Sequence, residues 1–252
     1  MLPRERIETI KDIVIKDKKV YVSKLSEKFQ VTEETIRRDL EKLENEGIVT
    51  RTYGGAILNM EKNNEDIPFI KRAKTNLDNK KNIALKVINM FKSGTTLISD
   101  SSSTVAEVIK SIKNRGDITL ITNSVEVLQQ LNSCNLNILL TGGVFNAKSL
   151  SLQGALAKRA IKEYNVDFAL VSCKGIDMNK GILESNEAEA ELKRIMIKQA
   201  DKVMLLVDNS KFDKTSFVKL FDFEDIDYIV TDVKPDDRWL EFLSSKNVEV
   251  IY

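Results

Sequence analysis

The 252 residues carry 39 Lys and Arg against 38 Asp and Glu, a net charge of +1, with 42% hydrophobic and 31% charged residues. This is globular composition with material for a core, too balanced to hold nucleic acid by bulk charge. With no His, and only Cys134 and Cys173, the chain lacks Ser–His and Cys–His pairs, zinc spacing and a disulfide framework; Lys and carboxylate chemistry stays open.

Ile7, Ile10 and Val14 recur at helical spacing and predict a helix over 4–17. Val20-Tyr-Val22 reads as a short strand. Ser23 is placed to cap a second helix that turns Leu25 and Phe29 inward. Gln30-Val31 makes a tight turn. Thr32 caps a third helix with Ile36, Leu40 and Leu43 on one face, ended by Gly47. Three short helices with a tight turn between the last two describe a helix-turn-helix over 20–39. The exposed start of the third helix offers Glu33, Glu34, Thr35, Arg37 and Arg38, the end that faces the major groove in this motif. Ile48 to Leu58 alternates and contains Gly54-Gly55, which reads as a β-hairpin. As a wing it brings Arg51 and Tyr53 towards the DNA backbone or minor groove. The expected DNA-contacting set is Ser23, Thr32, Glu33, Glu34, Thr35, Arg37, Arg38, Arg51 and Tyr53. Patterning alone leaves open a small helical cap with solvated charges.

The string Val31-Thr-Glu-Glu-Thr-Ile-Arg-Arg-Asp-Leu40, followed by Leu43, Gly47 and Arg51-Thr-Tyr-Gly-Gly-Ala56, closely resembles the DNA-binding domain of the DeoR-type bacterial regulators. Many members carry His where this chain has Tyr53. The winged helix-turn-helix is thus expected over 3–58, mainly α-helical. Residues 59–79 are polar with Pro68 inside and read as a linker, its Ile67-Pro-Phe-Ile70 patch packing on something.

Residues 80–252 alternate between helix-like and short apolar strand segments. Strands are expected at 96–99, 118–121, 136–140, 168–171, 203–207, 228–230 and 248–251. Helices are expected at 83–91, 104–113 and 124–132, with others between most later strands. That alternation implies an α/β domain with a largely parallel sheet covered on both faces. The segments after the strands are rich in Ser, Thr, Asn, Asp and Gly: Asp100 to Thr104, Thr122 to Ser124, Thr141 to Gly143, Ser172 to Asp177, Asp208 to Lys211 and Thr231-Asp232. In a parallel sheet they gather at the carboxyl edge, where ligands bind. Ser102, Ser103 and Thr104 sit at a helix start, suited to phosphate. Lys174 and Lys211 add positive charge, and Asp100 and Asp177 can accept from sugar hydroxyls. Any single loop of this kind can instead be capping its helix. The acidic and basic residues Glu187, Glu189, Glu191, Lys193 and Arg194 read as a solvated or interface face, with Glu189 and Lys193 as an i,i+4 pair.

This half resembles the same family through Leu97 to Thr104, Ile121 to Ser124, Leu140 to Gly143, Gly175-Ile-Asp177, Lys193-Arg-Ile-Met196 and Leu206 to Phe212. The resemblance implies a fold like that of ribose-5-phosphate isomerase and related sugar-phosphate proteins, sensing a phosphorylated sugar. It implies that Asp100, Ser102, Ser103, Thr104, Lys174 and Asp177 line the effector site. The loops add Ser101, Asn123, Ser124, Gly142, Gly143, Gly175 and Lys211. Two positions depart from the family: Asp-Ser-Ser-Ser-Thr replaces the usual Asp-Ser-Gly-Thr-Thr, and Lys174 stands where Asp is frequent. The expected protein is a DNA-binding regulator, a repressor of a carbohydrate operon relieved by a phosphorylated sugar. It needs no cofactor or metal, binds double-stranded operator DNA and forms a homo-oligomer. The alternative is a sugar-phosphate isomerase or deaminase with an accessory helical domain. No apolar run approaches the ~20 residues of a membrane helix, and Met1-Leu-Pro-Arg-Glu-Arg6 lacks the apolar core of a signal peptide, so a cytoplasmic location is expected.

Overall fold

The structure, a computed structural model, describes residues 3–45, 48–58, 67–130 and 135–252. They form two compact units, Met1–Glu65 and Asp66–Tyr252. Gly47, Cys134, residues 59–66 of the expected linker and the end of the helix expected at 124–132 lie outside the described residues.

The first unit runs α1 (Pro3–Asp17), β1 (Lys19–Tyr21), α2 (Val22–Phe29), α3 (Glu33–Asn45), β2 (Val49–Thr52) and β3 (Gly55–Leu58). Ile10, Val14, Leu25, Ile36, Leu40, Leu43 and Val49 are buried together, the inward stripes that the helical spacing selects. The expected hairpin is present and is joined by β1, giving an antiparallel sheet in the order β1-β3-β2. The close crossing of β1 and β3 requires glycine at 55, since a Cβ there would lie 2.1 Å from the Val20 carbonyl oxygen. Thr32 caps α3 as expected, its Oγ1 accepting from the Thr35 N–H at 3.3 Å. Ser23 does not cap α2. The helix begins at Val22 after an extended Tyr21, and the Val22 N–H donates to the Gly54 carbonyl. Strand pairing, not a hydroxyl, therefore sets the start, and Ser23 lies exposed in the first turn.

The second unit opens with α4 (Phe69–Lys74) and α5 (Leu77–Val87), then β4 (Thr96–Ser99), α6 (Ser103–Ser111), β5 (Thr119–Thr122), α7 (Val125–Gln130) and β6 (Asn137–Leu140). A hairpin follows, β7 (Val144–Asn146) and β8 (Ser151–Gln153), then α8 (Ala155–Ile161), β9 (Val166–Val171), β10 (Gly175–Asp177), β11 (Gly181–Glu184) and α9 (Glu187–Ile197). The chain ends with β12 (Ala200–Leu206), β13 (Val218–Phe221), β14 (Tyr228–Val230), α10 (Asp237–Ser245) and β15 (Glu249–Ile251). Residues 67–79, read above as linker, thus carry α4 and the start of α5 and belong to the second unit. Phe69 is buried and its N–H donates to the Lys148 carbonyl, so one aromatic anchors a polar stretch.

Seven strands form one sheet in the order β15-β14-β12-β9-β4-β5-β6, parallel at every pairing. Alternate residues face opposite sides. Ile98, Val171, Val203 and Leu205 pack with α8, α9 and α10; Leu97, Leu170, Met204 and Leu206 pack with α5 and α6. The α/β expectation holds, with a small antiparallel sheet β10-β11-β13 added. From β4 the chain proceeds outward through β5 to β6, then returns so that β9 lies against the other side of β4. The topological switch point, where the following loops part and leave a crevice, is therefore between Asp100 and Ser172. No helix among the described residues is long and apolar enough to cross a membrane.

Candidate DNA-binding face and effector site

The third helix of the first unit is held from beneath by charge. Asp39 lies on the buried face of α3 beside Ile36, Leu40 and Leu43, and Arg6 of α1 donates to it, Nε to Oδ2, at 2.6 Å. A buried pair of this kind fixes orientation, because either partner left alone would be an uncompensated charge. On the opposite face Arg37 bonds Glu33 at 2.6 Å and Arg38 lies 3.5 Å from Glu34. All four are exposed. The Thr35 hydroxyl lies 2.9 Å from that of Thr32. Arg51 on β2 reaches back to Glu44 of α3, through its N–H at 2.9 Å and its Nε at 2.6 Å. The wing is thereby tied to the recognition helix, and Tyr53 stands fully exposed at the hairpin tip. The structure thus brings Thr32, Glu33, Glu34, Thr35, Arg37, Arg38, Arg51 and Tyr53 onto α3, its cap and its wing. Ser23 stands apart on α2.

At the switch point the polar loops are buried: Asp100, Ser101, Ser102, Ser103, Thr104, Asn123, Ser124, Thr141, Ser172, Asp208 and Thr231 all lie out of solvent. Ser102 caps α6, its Oγ accepting from the Val105 N–H, so the unpaired N–H groups of the first helical turn open at the carboxyl end of β4. Asp100 is an organiser of this edge and not a free acceptor. Its two oxygens accept from the N–H groups of Ser102 (2.8 Å) and Ser172 (2.9 Å), closing the loops on both sides of the switch point. Lys193 completes the arrangement. Its Nζ lies 3.1 Å from Asp100 and 2.5 Å from Glu184, and donates to the Ser172 carbonyl at 2.7 Å. Burial disfavours its charge, but Asp100 and Glu184 overcome this and raise its pKa. Burial pulls Glu184 the other way, yet Lys193 holds its carboxyl below the usual range.

These contacts correct the surface reading of Lys193 and Glu189, both of which are buried. Asp177 has a local structural role. It ends β10, its Oδ1 accepting from the N–H groups of Asn179 and Lys180, as a hairpin turn-former. Gly175 is fixed by packing, since a Cβ would meet the Lys214 carbonyl oxygen at 2.5 Å. The N–H of Lys174 is paired to Leu183. Asn123 holds the β8 backbone through Nδ2 to the Leu152 carbonyl, while its Oδ1 and the Ser124 hydroxyl are buried without a hydrogen-bond partner. Gly142 and Gly143 adopt left-handed φ of 66° and 118°, and a Cβ on Gly143 would strike the Gln153 carbonyl oxygen. Both serve the turn into β7.

The sequence reading missed Lys80 and Arg72. Lys80 is buried on α5, and its Nζ donates to the carbonyls of Arg72 (2.5 Å) and Thr75 (2.6 Å). Burial lowers its pKa to about 8, opposed by Asp208, with Lys211 and Arg72 pushing further down and Glu107 opposing. Arg72 also acts on Glu184, and Lys211 on Cys173. Lys80 is thus a buried cation on α5, the helix that packs against α6. Lys80, Ile83, Ala84 and Val87 are all buried. A lysine at an apolar position of a helical stripe was the available signal; Lys193, between Ala190 and Met196, and Asp39 show it too. Burial pushes the Cys173 thiol up to about 12, which leaves it protonated and inert.

Two family descriptions match the chain: a DeoR-like helix-turn-helix domain over residues 6–62 and a DeoR C terminal sensor domain over 75–233. An uncharacterized HTH-type transcriptional regulator of Bacillus subtilis is 39% identical over 99% of this chain and 96% of its own length. The L-fucose operon activator of Haemophilus influenzae is 34% identical over 98% of each chain. The glycerol-3-phosphate regulon repressor of Escherichia coli is 29% identical over 99% of each. Of the two readings of the sequence, these matches select the regulator over the enzyme. The chain belongs to the DeoR family of helix-turn-helix transcriptional regulators.

Proposed function

We propose that this regulator grips an operator through α3 and the β2–β3 wing and is released from it by a phosphorylated sugar bound at the switch point. The observation that carries the effector half is the α6 N-terminus opening among buried polar loops at the switch point, with Asn123 Oδ1 and the Ser124 hydroxyl buried and unpartnered there and Lys80 buried on the adjacent α5. Helix N–H groups and cations suit a phosphoryl group, and the Ser and Asn side chains suit hydroxyls. Relatives named for an L-fucose operon and a glycerol-3-phosphate regulon support small phosphorylated carbohydrates as the class. Arg37 and Arg38 exchange their glutamate partners for DNA, and Arg51 follows the wing to the backbone. Two copies of the chain set paired recognition helices on a repeated or palindromic operator. Repression relieved by effector is the simplest regulation of this kind, and no cofactor or metal enters it.

A gel shift with DNA upstream of the protein's own operon, at two salt concentrations and against a panel of sugar phosphates, tests the proposal. The expected result is specific binding that weakens with salt and is abolished by one compound. Specific binding that no sugar phosphate alters would remove the effector half, and failure to select any site from a randomised library would remove the operator half.

A further inference from the structure

At the start of α5 the segment by which the chain enters the second unit is tied to the carboxyl edge of the sheet, with Lys80 bonding the segment and Asn76 bonding Asp208. Lys80 Nζ donates to the Arg72 and Thr75 carbonyls, which lie in the last turn of α4 and at its C-cap. The Arg72 carbonyl also accepts from the Thr75 N–H at 3.2 Å, so the ammonium adds a second donor at the end of the helix. Arg72 Nε in turn donates to the Ile67 carbonyl at 3.0 Å. Asn76, next along, has a left-handed φ of 52° and bonds Asp208 and Ser210 through Nδ2. α4 is short: it has six residues and one buried side chain, Phe69, whose N–H bonds the Lys148 carbonyl. It also lies between the two family matches, which end at 62 and resume at 75. Any signal carried along the chain between the units passes through it.

We propose that Lys80 is the positioning residue that couples effector binding to α4: a phosphoryl group at the α6 N-terminus draws the ammonium off the Arg72 and Thr75 carbonyls, and residues 67–76 loosen. This rests on the effector reading given above. The exchange is favourable because a bond from ammonium to anionic oxygen is stronger than one to a neutral carbonyl. Both acceptors of the buried Lys80 ammonium are neutral carbonyls, so an anion gains by approaching it. Loosening of residues 67–76, the stretch by which the chain enters the second unit, gives the ligand a differential hold on two states of that stretch.

Hydrogen exchange on the full chain tests this, with wild type, Lys80→Met and Lys80→Arg, each with inorganic phosphate and with a panel of sugar phosphates at millimolar concentration. Without ligand, residues 67–76 should exchange at least about tenfold faster in Lys80→Met, while β9 is unchanged. Lys80→Arg, which keeps charge and donors, should restore much of the protection. In wild type, a compound that slows exchange at 100–106 should quicken it at 67–76. Slowing at 100–106 with no change at 67–76 would overturn the coupling and leave the pocket standing. No response at either place to any compound would overturn both, and unchanged exchange at 67–76 in Lys80→Met would overturn the coupling alone.

Discussion

The two units use charge in opposite ways. On α3 the pairs Arg37–Glu33 and Arg38–Glu34 lie in solvent, with side chains roughly half exposed or more. Pairs of that kind contribute about 0–1 kcal/mol and separate readily when phosphates and base edges arrive. At the switch point Lys193, Asp100 and Glu184 are 5%, 1% and 7% exposed. Such a cluster does not trade partners; it fixes the loops on which binding depends. Exposed pairs make a surface that can be exchanged for a ligand, and buried ones make a frame. The Arg6–Asp39 pair shows the DNA-binding unit using both, one face of α3 framed and the other free.

The largest effect that sharpens this contrast should come from Lys193→Met, which strands two buried carboxylates. It should cost about 3–5 kcal/mol of stability, read by denaturant unfolding of the second unit. A loss as small as a surface substitution's would break the distinction. Asp39→Ala should follow at about 3 kcal/mol, with loss of operator binding as the first unit loosens. Arg37→Ala and Arg38→Ala should leave the unfolding curve in place and weaken operator binding by about 1–3 kcal/mol each if they read bases, or reduce the salt slope by about one if they meet phosphates. Wild-type binding in both would displace α3 from its role. The smallest effect concerns Lys80, whose pKa falls from 10.5 to about 8 on folding. The unfolded chain holds that proton more tightly, so this group makes stability rise with pH between about 8 and 10.5. Loss of the charge should weaken sugar-phosphate binding from about pH 7 to about pH 9, as titration calorimetry would show. An unchanged affinity would place Lys80 outside the pocket.

The helices and parallel strands were legible because their signals are local: apolar stripes, short apolar runs, and polar residues after each strand. The frame of the site was not. Lys193 sits four residues after Glu189, which mimics a solvent-facing pair, while its partners come from β11 and from the loop after β4. Asp100 was recognised as belonging to the site, but its oxygens are engaged with Ser102 and Ser172 N–H groups that only the folded switch point brings near. The turn-forming role of Asp177 was not legible, because its place in the β10–β11 turn depends on the pairing of a small sheet that the alternation did not reveal. Residues 67–79 looked like linker because one buried phenylalanine leaves no periodic trace.

Cys173 follows β9 directly, behind Ser172, with Asp100, Glu184 and Lys193 close enough to act on its thiol. It is buried in the apolar layer and protonated, so a thiol reagent reaches it only when the structure around it opens. In a Cys134→Ser background its labelling rate becomes a clock for how often that structure opens, and a ligand that tightens the crevice slows the clock without any need to know its chemical identity.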